Sequence, residues 1–123
     1  MQAFKIVTIL IGLIPLWFGV NGVLFGAAEQ MGGEPFSAAM DNQYRYLSGV
    51  YIGVAIMVFY SAADVKGRAE LFRFAMLFWF IGGCARLVSV FTVGDPPIWQ
   101  LGGMVAELGA PLLLLWQARV ISR

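Results

Sequence analysis

Four apolar stretches, each close to the length that crosses a bilayer, leave this chain few ways to fold. They run from about Ile6 to Ala28, Tyr46 to Ala63, Leu71 to Phe91 and Ile98 to Ala118. About 20 apolar residues in a helix match a hydrocarbon core of about 30 Å. Short punctuators separate them. Glu29 to Asn42 carries glycines, a proline and acids, Asp64 to Glu70 is charged, and Gly94-Asp95-Pro96-Pro97 is a turn that helices rarely pass through. The expectation is an all-α fold: one domain over residues 1–123, a membrane-spanning four-helix bundle.

Composition supports this reading and removes others. Of the 123 residues 60% are hydrophobic and 12% charged, with a mean hydropathy of +0.81. A soluble domain this small has too much surface to hide that apolar content, and a disordered chain needs the opposite balance. A net charge of +1 offers no basic footprint for nucleic acid. The chain has no histidine, which excludes His-ligated haem, His-containing zinc sites and His-based triads. Its one cysteine, Cys84, has no partner within the chain for a disulfide and reads as a small residue in a close-packed helix. No metal site, nucleophile–base pair or cofactor motif is visible, so an enzyme is not expected.

The first stretch has the outline of a signal peptide: Lys5, an apolar run, then Gly26-Ala27-Ala28. The run is long enough to span, and a retained helix is expected. Four spans put both termini and the middle loop on one side. That side holds Lys5, Lys66, Arg68, Arg73, Arg119 and Arg123, against Arg45 alone on the other. Basic residues stay inside, so both termini are expected in the cytoplasm.

Small residues recur at helical spacing. Gly12, Gly19 and Gly26 are seven apart, and Gly22 joins them; Gly49-x-x-x-Gly53 and Gly102-x-x-x-Ala106 follow in later stretches. Helices in lipid associate by close packing rather than by a hydrophobic drive, and small residues permit it. These glycine faces suit packing within the bundle, or docking to a second copy or another membrane protein.

Polar residues inside the stretches carry the functional signal. Asn21, Tyr51, Arg86 and Glu107 each lie about six to eight residues from the outer end of a stretch, roughly 10 Å deep. Ser48 and Ser89 sit near that layer, and Arg45 stands at its mouth on the Ser48 and Tyr51 face. Charges at such depth are costly and turn inward to pair, so Arg86 and Glu107 are expected to form an ion pair sharing hydrogen bonds with Asn21, Tyr51 and Arg45. Two readings of this layer stand. It is either a polar clasp that fixes helix register or the floor of a ligand cavity opening outward. Pro111, four residues after Glu107, is expected to free the Glu107 carbonyl and bend the helix; Pro15 does the same for Ile11. Trp99 and Trp116 read as interfacial anchors, and Phe78, Trp79 and Phe80 either face lipid, the preferred reading, or line a pocket.

The chain also carries Arg45-x-x-Ser48-Gly49-x-Tyr51-x-Gly53, then Ala85-Arg86-Leu87-x-Ser89, the Gly94-to-Pro97 turn and Glu107. In this order they resemble a bacterial family of small four-helix membrane proteins of unknown function, similar in layout to DoxX-like proteins. The resemblance implies a four-span bundle in the bacterial cytoplasmic (inner) membrane. By fold analogy it implies a sterol-like or other hydrophobic ligand. The candidate ligand-binding residues are thus Arg45, Ser48, Tyr51, Arg86, Ser89, Glu107 and Asn21. Three function classes follow: a binding module for a lipid-like or small amphipathic ligand, an accessory subunit of a larger membrane complex, and a proton-coupled carrier using Glu107.

Overall fold

A computed structural model describes residues 1–123. The chain is all-helical: α1 Gln2–Gln30, α2 Ala38–Ala63, α3 Ala69–Thr92, α4 Ile98–Leu108 and α5 Ala110–Ile121. Helices α1, α2, α3 and the combined segment Ile98–Ile121 are each long and apolar enough to cross a membrane.

Two boundaries differ from the sequence reading. Helix α2 begins at Ala38, not near Tyr46, because Ser37 caps it: its Oγ accepts the Met40 N–H at 3.1 Å. Asp41 and Arg45 are therefore helical. The fourth segment breaks at Gly109, two residues before Pro111. Across the break Gly109 N–H bonds the Val105 carbonyl and Leu112 N–H bonds the Gly109 carbonyl, both at 3.0 Å. Proline has no N–H to offer, so the ladder is thinned there. Helix α1 continues through Pro15.

The glycine repeat in α1 is the seam with α2. A Cβ on Gly12 would stand 2.7 Å from Phe59 Cε1, and one on Gly19 would stand 2.6 Å from Ile52 Cγ1 and 2.8 Å from the Ser48 carbonyl. At Gly22 it would collide with the Ser48 hydroxyl. Only glycine lets the two backbones lie this close. Gly26 adopts φ +68°, a left-handed conformation open mainly to glycine, and breaks α1 near its end. The break separates the Ala27 N–H from the Val23 carbonyl, which would pair in an unbroken helix. Asp41 accepts the Ala27 N–H at 2.9 Å, and Arg45 donates to the Val23 carbonyl at 2.6 Å. Arg45 also donates to Asp41 at 2.9 Å, so an ion pair on α2 replaces the missing backbone bond.

The core gathers at the end of the bundle that holds both termini. Phe4 meets Phe72 and Trp116 edge to face, each at 5.4 Å, with Val58, Val65, Met76 and Val120 around them. Trp116, half-buried, packs on Phe4 here. The α2–α3 turn is tied by Asp64, which accepts the Gly67 N–H, and by Arg68, which donates to the Tyr60 carbonyl and lies 3.6 Å over its ring. Helix α3 packs on α2, α4 and α5, and α1 reaches α5 only near the termini. At the opposite end the α1–α2 pair stands apart from α4, and a Phe18–Trp99 stack at 5.6 Å bridges the gap.

Candidate functional site

The gap between the two helix pairs is a cavity of about 980 Å³. Ile14, Phe18, Leu47, Val54, Met57 and Phe78 are among its mostly apolar walls. Gly53, Gly82 and Gly103 also line it, and a Cβ added at any of the three would meet nothing within 4 Å. The glycines of α1 bring backbones together; these three leave room.

Its floor is a chain of polar groups contributed by three helices. Trp79 Nε1 donates to the Tyr51 hydroxyl at 2.6 Å, and that hydroxyl donates to Glu107 Oε1 at 3.0 Å. Arg86 Nε donates to both Glu107 oxygens, at 3.3 and 3.0 Å, and closes an ion pair. Glu107 is 3% exposed, whereas the Arg86 side chain is 40% exposed. Helix α3 presents Trp79, Gly83 and Arg86 on one face. Gly83 is what admits the carboxylate: a Cβ there would stand 2.9 Å from the Glu107 Cβ. In hydrocarbon every polar group needs a partner, and Glu107 obtains its partners from two other helices.

The remaining candidates divide. Ser48 lines the cavity while its hydroxyl donates to the Tyr44 carbonyl of its own helix at 2.8 Å. Ser89 does not reach the large cavity. With Arg86, Pro96, Gln100 and Met104 it lines a smaller pocket of about 130 Å³. Asn21 is not part of the layer, because its amide donates to the Trp17 carbonyl one turn back at 2.9 Å. Arg45 is not part of it either, because the Gly26 break and Asp41 claim its guanidinium.

Trp79 joins the layer without having been a candidate for it. A mid-span aromatic reads first as lipid-facing, but Trp79 is 4% exposed and anchors the polar chain, while its neighbour Phe78 lines the cavity and is 56% exposed. The available signal was its spacing, four residues before Gly83 and seven before Arg86. A second polar contact lies near the termini: buried Gln117 donates to the Ala69 carbonyl at 3.2 Å and accepts from Arg73 at 3.4 Å.

No curated protein and no solved structure matches the chain. A family model described as a domain of unknown function, DUF4345, matches residues 3–118. Because that match covers nearly all of the chain, the protein belongs to the DUF4345 family.

Proposed function

We propose that this protein is a membrane binding module that holds a lipid-like or small amphipathic molecule between its helix pairs. The observation that carries the reading is the cavity itself: about 980 Å³, apolar walls, and one polar floor made by Trp79, Tyr51, Glu107 and Arg86. Small-molecule sites have this build: concave, mostly apolar, with a few placed polar groups. The bias of basic residues toward the termini supports cytoplasmic termini, with the cavity toward the outer leaflet. The layout resembling DoxX-like proteins is in keeping with a bacterial inner membrane.

Native mass spectrometry of detergent-extracted protein tests the reading. The wild type is expected to retain an apolar adduct, and Gly53→Leu or Gly103→Leu, which put side chains into open space, are expected to lose it without loss of folding. Absence of any adduct, or one indifferent to both substitutions, defeats the reading. A C-terminal reporter active only outside the cytoplasm is expected to stay silent; activity would reverse the proposed orientation.

Docking to another membrane protein is a second reading with one observation in its favour. Gly49 and Gly102 face open space outside the cavity, as small residues awaiting a helix partner would. The same spectra separate the two, since a dimer or a bound protein shifts the mass far more than a lipid.

A further inference from the structure

Arg86 lines both hollows, the large apolar cavity and the small pocket of about 130 Å³ beside it. Within the chain only its Nε is engaged, by Glu107; Nη1 and Nη2 make no hydrogen bond. A guanidinium presents these nitrogens as a planar fork suited to two oxygens of a carboxylate or phosphate. Two further polar groups of the small pocket, the Ser89 hydroxyl and the Gln100 amide, also make no hydrogen bond to the chain. Three side chains with unused donors thus converge on one small space. Gln100, like Arg86, also borders the large cavity. Ser89 is exposed and Arg86 and Gln100 are partly exposed, so these donors are open to a molecule that enters beside them. Glu107 pairs with one edge of Arg86, and the rest of the fork is free to take an acceptor from outside the chain.

We infer that the bound molecule is an anionic amphiphile whose head is a small oxyanion, a carboxylate or phosphate monoester. The head sits on Arg86 Nη1 and Nη2, Ser89 and Gln100, and the tail lies in the cavity. The inference rests on the proposed binding role and adds the chemistry of the head. The space beside the fork, about 130 Å³, suits a small head. The absence of a second cation near the fork fits a single oxyanion.

The test uses the full chain in phosphatidylcholine nanodiscs, at a pH that ionises palmitate, with tryptophan fluorescence as the readout, since Trp79 and Trp99 line the cavity. Palmitate supplies head and tail, hexadecanol the tail alone, and inorganic phosphate the head alone. Palmitate is expected to bind about tenfold tighter than hexadecanol, the scale of a charge-assisted hydrogen-bonded pair, and phosphate alone is expected not to bind measurably. Arg86→Lys keeps a cation for Glu107 but removes the fork, and is expected to erase most of palmitate's advantage. Gln100→Leu with Ser89→Ala leaves the ion pair intact and is expected to weaken palmitate severalfold with hexadecanol unchanged. Equal binding of palmitate and hexadecanol overturns the head assignment while leaving the cavity reading standing. Phosphate binding as tightly as palmitate overturns the amphiphile. Failure of every tailed probe overturns both readings.

Discussion

At the end of the bundle carrying the termini, Phe4, Phe72 and Trp116 meet edge to face and Met76 is fully buried among them. At the opposite end, Gly53, Gly82 and Gly103 stand where comparable side chains would meet, and about 980 Å³ stays open. The same four apolar segments run through both regions. The difference lies in side-chain volume at facing positions. In water an apolar gap of this size would favour collapse. Between helices in lipid that drive is missing and association rests on side-chain packing, which Gly53, Gly82 and Gly103 do not supply at this end. Close packing at one end fixes the helix pairs; the other end can then stay apart.

The contrast can be broken most forcefully at its aromatic side. Phe72→Ala removes a ring buried to 2% exposure and is expected to cost about 3–5 kcal/mol, read as a large fall in Tm in detergent. Phe78→Ala, on the cavity wall and 56% exposed, is expected to change stability by about 0.5 kcal/mol or less. Equal losses would mean that the two ends are packed alike.

The ion pair between the two regions gives the next largest effect, and it is asymmetric. Arg86→Ala leaves the buried Glu107 carboxylate without its cation and is expected to cost about 3 kcal/mol. Glu107→Ala leaves a half-exposed Arg86 that finds other acceptors, and is expected to cost less. The double substitution is expected to recover part of the Arg86→Ala loss in thermal melts. Strictly additive losses would show that the two side chains do not interact.

Glycine substitutions sharpen the comparison at the small end of the scale. Gly19→Ala forces a methyl against Ile52 and the Ser48 carbonyl and is expected to cost about 1–3 kcal/mol through overpacking. Gly49→Ala meets open space and is expected to leave Tm unchanged. Equal Tm values for the two variants would remove the seam from the account.

Much of this was legible in the chain, for physical reasons that differ by residue. Four helices follow from apolar run length, and the positions of Arg86 and Glu107 drew attention because charge at depth demands a partner. The seven-residue recurrence of Gly12, Gly19 and Gly26 marked a packing stripe. It did not reveal that Gly26 takes a positive φ and opens a break which consumes Arg45 and Asp41. The start of α2 was obscured because Ala38 to Gln43 is too polar to read as membrane helix, although the Ser37 cap was present in the sequence. Asn21 was misplaced because an amide in a helix can satisfy itself on the preceding turn, which depth alone does not disclose. Side-chain volume opposite each glycine is a property of pairs of helices, so the cavity could be suspected but not located.

The break at Gly109 has a mechanical consequence. The fourth segment is built as two rods that meet at one residue rather than as one unbroken beam. The lower rod, α5, is keyed into the aromatic core by Ala110, Gln117 and Val120. The upper rod, α4, has a single buried residue, Glu107, directly beside the joint. Load on the far tip of α4, about 15 Å from the joint, is resisted by its packing on α3 and by the Trp99 stack on Phe18. A rotation at Gly109 is magnified at Trp99, so widening the mouth of the cavity means parting the stack on Phe18 while the packed end of the molecule keeps its shape.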